Sequence, residues 1–170
     1  GISSQTYASI CYEYGDHYET IGDFVNAEKW FKNAIEIQGK ANQSLEYAKT
    51  LNALANIYAD QGQIGPAENY YKIALDIREQ KLGKSHPDYA RILNNLAGVY
   101  QFTGEYDKAI SLFNEVKKIF GSINGIDSIE YAFCLHNLAN VYFEIGNYNQ
   151  AELYYTNALS IREKLNGRND

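Results

Sequence analysis

The stretch YARILNNLAGVYQFTGEYDKAISLFNEVKKIF, residues 89–120, carries two amphipathic stripes on either side of a glycine. Before Gly104, the residues Leu93, Leu96, Ala97 and Tyr100 fall at i, i+3, i+4 and i+7, the spacing of one buried helical face. After it, Ala109, Phe113, Val116 and Ile119 make a second such face. A glycine between two helical stripes supplies the left-handed backbone that ends the first helix. The segment therefore reads as helix A, tight turn, helix B.

Working outward, the same unit recurs. Glycines stand at 22, 62, 104 and 146, spaced 40, 42 and 42 residues apart. Four residues before each is a tyrosine: Tyr18, Tyr58, Tyr100 and Tyr142. Five after each comes an alanine (Ala27, Ala67, Ala109, Ala151), and nine after an aromatic (Phe31, Tyr71, Phe113, Tyr155). Twelve after comes a small residue: Ala34, Ala74, Val116 or Ala158. A Tyr-Ala pair opens every unit, at Tyr7, Tyr47, Tyr89 and Tyr131. Columns this numerous mark an internal repeat. They predict an all-α chain of four helix–turn–helix repeats, at about residues 5–40, 44–83, 86–124 and 127–166 of a single array. The alanines fall where two helices cross closely and a larger side chain would push them apart. Pro66 is expected to open helix B of the second repeat and Pro87 helix A of the third. Ser85 with Asp88, and Asp127 with Glu130, are expected to cap the third and fourth A helices.

Bulk properties narrow the function. The chain of 170 residues is 45% apolar and 21% charged, ordinary for a globular protein. Its apolar runs are too short to span a bilayer, and it opens on no signal peptide. It contains no methionine, which is expected of a fragment of a longer protein. A net charge of −6 argues against a nucleic-acid partner, which would require a basic face. Cys11 and Cys134 lie in the first and last repeats, several helix spacings of roughly 8–10 Å apart. That is beyond disulfide reach. Both are expected to be buried free thiols, with the cytoplasm as the compartment.

Chemistry-bearing groups are sparse. His17, His86 and His136 form no sequence-near metal cluster. Cys134 and His136, two apart on one helix, point to different faces and make no dyad. Glu28, Glu68 and Glu152 share one column, as a structural or solvated position would. Neither a Gly-rich phosphate loop nor a nucleophile elbow occurs. The expectation is a chain with no catalytic residue, metal or cofactor.

The tyrosine, glycine, alanine and aromatic columns resemble the tetratricopeptide repeat over nearly the whole chain. The phrase ALDIREQKLGKSHPDYARILNNLAGVY, residues 74–100, is similar to the repeats of kinesin light chains, and ALSIREKL, residues 158–165, echoes it. The first repeat departs most, with a shorter linker and Ile37-Gln38 where Ile-Arg stands in the second and fourth. The resemblance implies an α-solenoid, a right-handed superhelix whose A helices line a concave groove that holds peptides.

Carried over by spacing, groove positions lie 13, 10, 9, 6, 3 and 2 residues before each glycine. In the first repeat these are Ser9, Tyr12, Glu13, Asp16, Glu19 and Thr20. In the second they are Lys49, Asn52, Ala53, Asn56, Ala59 and Asp60. The third gives Arg91, Asn94, Asn95, Gly98, Gln101 and Phe102, and the fourth Phe133, His136, Asn137, Asn140, Phe143 and Glu144. Asparagine is a poor helix former, so Asn52, Asn56, Asn94, Asn95, Asn137 and Asn140 on one face call for a reason. An amide that donates and accepts is suited to clamp a peptide backbone. Alternatively, the asparagines bond to neighbouring A helices and shape the superhelix. A cationic carboxylate clamp, used by some resembling families on chaperone tails, is mostly missing. Asn52, Phe133 and Asn137 stand where its cations belong, and only Arg91 is kept.

The implied function is an adaptor or scaffold binding a linear peptide of a protein partner, with no nucleic acid and no membrane. The alternative is a regulatory sensor or docking arm of a larger multidomain signalling enzyme. Glu13, Asp16, Glu19, Asp60 and Glu144 against Lys49 and Arg91 are expected to make the groove mildly acidic, suited to neutral or basic peptides with apolar anchors for Phe102, Phe133 and Phe143. Uncovered apolar residues in the last repeat, such as Leu159 and Leu165, are expected to meet a further repeat or to support end-to-end self-association.

Overall fold

The computed structural model describes residues 3–39 and 43–167, which form helices with no strand among them. Two compact units divide the chain, Gly1–Gly83 and Lys84–Asp170. The first holds α1 (Ser4–Thr20), α2 (Phe24–Gln38), α3 (Leu45–Asp60) and α4 (Ile64–Leu82). The second holds α5 (Pro87–Phe102), α6 (Tyr106–Ile123), α7 (Ile129–Glu144) and α8 (Tyr148–Asn166). Within each unit every helix packs on the next.

The repeat columns are the core. Ala27, Ala67 and Ala109 are fully enclosed, as are Phe31, Ala34, Ala74 and Val116. The two stripes around Gly104 are buried throughout, including Leu96 at 4% and Tyr100 at 7% exposed. Cys11 and Cys134 are free and buried, and burial pushes the Cys134 thiol up to about 12.

The turn explains the tyrosine and glycine columns together. Gly104 takes φ of 76°, and its N–H reaches the Gln101 carbonyl while that of Glu105 reaches Tyr100 at 2.8 Å. The paired bonds satisfy carbonyls that the end of α5 leaves open. The other three turns repeat the pattern, with Asp23, Gln63 and Asn147 bonding back to Tyr18, Tyr58 and Tyr142. The residue that closes helix A is thus also the N-cap of helix B. Asp23 and Asn147 cap with their side chains, whereas Gln63 and Glu105 do not.

Four expected details shift. The cap of α5 is His86, whose Nδ1 accepts from the Asp88 N–H, and not Ser85. The cap of α7 is Ser128, accepting from Tyr131, and not Asp127; Asp127 instead faces Lys164 at 3.5 Å. Pro87 is at the helix start as expected, but α4 begins at Ile64, which places Pro66 later in its first turn. There a missing N–H still costs nothing, because the first four amides have no intrahelical partner. Leu165 is not uncovered: it packs on Ala132, Leu135, Ala158 and Ile161. Leu159 is 57% exposed.

Candidate functional site

In each unit the A helices bring the spaced columns together. In the first, the Lys49 ammonium on α3 sits 3.8 Å from the centre of the Tyr12 ring on α1, a cation–π contact between neighbouring repeats. Glu13, Asp16 and Glu19 lie near the same ring, and Asp60 lies near Glu19. Burial, then Asp16, Glu19 and Glu13, hold the Tyr12 hydroxyl up at about 12. Burial, then Asp16 and Asp60, raise the Glu19 carboxyl above its usual value, opposed by a hydrogen bond with Asn56. This face is acidic by accumulation of like charge. Ala53, expected to line it, is in the core at 5% exposed.

In the second unit the polar columns bond to one another. Asn137 donates through Nδ2 to Asn94 Oδ1 at 2.8 Å, and Gln101 donates to Glu144 at 2.7 Å, both linking α5 to α7. Arg91 is held at 3.1 Å by Asp88 on its own helix. The His136 ring stands edge-on to Tyr155, 5.5 Å between centres. Burial, then the positive charge of Arg162, keep its imidazole below the ordinary value. The Arg162 guanidinium lies 5.1 Å from the centre of the Phe133 ring. Phe102, Phe133 and Phe143 are 76%, 55% and 57% exposed, available as apolar contact surface.

Two of the asparagines share a structural task. Tyr71 donates its hydroxyl to Asn56 Oδ1, and Tyr155 to Asn140 Oδ1, each at 2.6 Å. Both pairs run from helix B to helix A of one repeat, between the position nine after the glycine and the one six before it. Where helix B has phenylalanine instead, at Phe31 and Phe113, the partner column holds Asp16 and Gly98. A buried tyrosine hydroxyl needs an acceptor and a phenylalanine does not. That covariation is the sequence signal that separates these asparagines from Asn52, Asn94, Asn95 and Asn137. One bond does not exhaust an amide with two donors and two acceptor lone pairs. The stacked pairs Tyr58–Tyr70 and Tyr142–Tyr154, each at 5.6 Å, recur with the same 84-residue offset as the two Tyr–Asn bonds. Each pair of repeats therefore has a twin in the other unit.

Residues missed by spacing lie on helix B, namely Arg162, Tyr71 and Tyr155. Among the described residues no group of three His, Cys, Asp or Glu side chains is placed to hold a metal ion, and no helix is long and apolar enough to cross a membrane.

Comparison with known proteins follows the same columns. The family profile described as tetratricopeptide repeat matches residues 6–80, 46–121 and 88–164. No curated protein sequence matches the chain. Among solved structures, BtubC (BKLC) from P. vanneervenii aligns with TM-score 0.90 at 23% identity, over 98% of this chain and 67% of that one. A putative kinesin light chain of Podosopora anserina aligns with TM-score 0.79 at 21% identity, over 96% and 80%. Aspartyl phosphate phosphatase F from Bacillus subtilis aligns with TM-score 0.83 at 16% identity, over 98% of this chain and 43% of that one. At these identities the likeness is one of fold.

Proposed function

The chain belongs to the tetratricopeptide repeat family, and from that premise we propose that it is an adaptor or scaffold whose A-helix faces hold a linear segment of a partner protein. Repeats of this family commonly serve protein–protein interaction and are generally non-enzymatic. The observation that carries the reading is the exposure of Phe102, Phe133 and Phe143 in columns that elsewhere hold small, amide or charged side chains. Large aromatic side chains left in water on an ordered helix face are what a partner's apolar anchors require. Treating the four repeats as one array, in a reducing cytoplasm that suits two free buried thiols, is part of the same proposal.

The acidic face of the first unit makes the charge preference testable. Peptides of net positive charge with an apolar residue should bind there, with affinity falling as salt rises. Replacing Glu19 by Gln together with Asp60 by Asn should remove most of that salt dependence while leaving the far-ultraviolet spectrum unchanged. Equal binding of basic and acidic peptides to this face, tracked through the Glu19 and Asp60 amide resonances, would refute the preference. Loss of all peptide binding in Phe133→Ala with Phe143→Ala is expected for the second unit. Unchanged binding there would refute the role of the aromatics.

A further inference from the structure

In the first unit α2 of one repeat packs on α3 of the next, and in the second α6 meets α7 in the same way. The columns 15, 12, 8 and 5 residues before the turn glycine are closed where a helix B packs on helix A like this. On α3 they hold Tyr47, Thr50, Leu54 and Ile57, none more than 4% exposed. On α7 Cys134, Leu138 and Val141 are buried likewise. The same columns of α1 hold Tyr7, Ile10, Tyr14 and His17, and there Tyr7 and Tyr14 are 48% and 49% exposed. A hollow of about 340 Å³ lies on this face, lined by Thr6, Ser9, Ile10, Glu13, Tyr14 and His17. Its residue types suit a face that is covered at some times and wet at others. The leucine and isoleucine of α3 have become Tyr14 and His17, side chains with an apolar body and a polar tip, and not lysine or glutamate. Tyr14 is also stacked on Trp30, with 4.9 Å between ring centres, so it is held in place before any partner arrives.

The other half of such a joint stands on α8. On α2 the packing edge includes Glu28, whose carboxylate accepts from the Tyr58 hydroxyl of α3 at 3.1 Å. It also includes Lys32, whose ammonium lies 5.8 Å from the centre of the same ring. Ile35, seven residues after Glu28, continues that edge and is half-buried. The matching positions on α8 are Glu152, Thr156 and Leu159, and all three are exposed. A carboxylate there is no requirement of helix B itself, since α6 has Ile110 in that column. The tyrosine that such a glutamate would receive is present too, because Tyr18 of α1 occupies the Tyr58 column. One chain thus carries the edge on α8 and its complement on α1.

We propose that a second copy of this chain docks its α8 on α1, in the register by which α2 meets α3. Leu159 covers the apolar hollow, and Tyr18 donates its hydroxyl to Glu152 of the neighbouring copy. The two faces differ, so the contact is heterologous, and each added copy brings a fresh α1 and a fresh α8.

The test is sedimentation of the full chain over about a hundredfold concentration range, with tryptophan emission read alongside. Trp30 is the single tryptophan and lies against Tyr14, so its emission reports on the α1 face. In the unaltered protein the mean mass should rise past that of two chains, and the Trp30 emission should shift in step with it. Tyr14→Glu and Leu159→Glu should each hold the mass at one chain. Mixed in equal amounts, the two variants should form a dimer that does not grow, because the intact α8 of the first meets the intact α1 of the second. Tyr18→Phe should weaken association about tenfold, and adding Glu152→Gln to it should weaken it no further, since both remove one bond. A mass that stays at one chain for the unaltered protein overturns the proposal. So does Tyr14→Glu that still pairs by itself, the mark of α8 meeting α8. A rising mass with the Trp30 emission unmoved overturns it as well, and that is read in the unaltered protein whether or not a variant folds.

Discussion

At the scale of single residues, glycines in equivalent helices have opposite roles. A Cβ built on Gly15 would come within 2.5 Å of the Phe31 ring, and Phe31 is wholly enclosed. Nothing lies within 4 Å of the same atom at Gly98. Gly15→Ala should therefore cost about 1–3 kcal/mol by overpacking, against a helix-propensity gain of about 1 kcal/mol. Gly98→Ala should stabilise by up to about 1 kcal/mol. Urea melts of the two variants giving the same sign would contradict the α1–α2 packing. His136 supplies a pH dependence. Its folded value lies below the ordinary 6.5, through burial and then Arg162, so the unfolded chain takes up a proton more readily. Its contribution to stability is whole above about 6.5 and is lost as pH falls from there toward the lower folded value. His136→Gln should flatten that part of the stability profile, and an unchanged slope between pH 7 and 5 would contradict the assignment.

At the scale of helices, stability comes from stripes that were legible as periodicity. Leu96, at 4% exposed, fills the α5 stripe, and Leu96→Ala should cost about 2–5 kcal/mol in a chemical melt. Under about 0.5 kcal/mol would contradict the register. Ala109→Phe should cost about 1–3 kcal/mol, because no space surrounds an alanine at 0% exposed. Helix starts were less legible. Sequence alone pointed to Ser85 and Asp127, one residue ahead of His86 and Ser128, since several side chains in each loop have capping chemistry and only backbone geometry selects among them.

At the scale of the molecule, α8 presents apolar surface. Leu153 and Leu159 are 53% and 57% exposed, whereas Leu75, which is Leu159's twin in α4, is buried at 8%. One sequence phrase thus buries its leucine in one unit and shows it to solvent in the other. We expect self-association through this face: sedimentation over about a hundredfold concentration range should show a rising mean mass. Leu159→Glu should suppress the rise. A constant monomer mass throughout would refute it.

The sequence by itself determined the helix–turn–helix repeat, its four turns, and the enclosed alanine and aromatic columns. Those features are set by contacts within a few residues or at a fixed repeat spacing, so periodicity records them directly. It also placed on the A helices the spaced columns that we propose for peptide contact. The tertiary structure decided which polar groups in those columns are committed to neighbours: Asn56 and Asn140 to helix B tyrosines, and Asn94 to Asn137 across α5 and α7. It alone placed Arg162 against Phe133. Spacing along one helix defines a face, but a long side chain from the adjacent helix reaches that face only through packing in three dimensions.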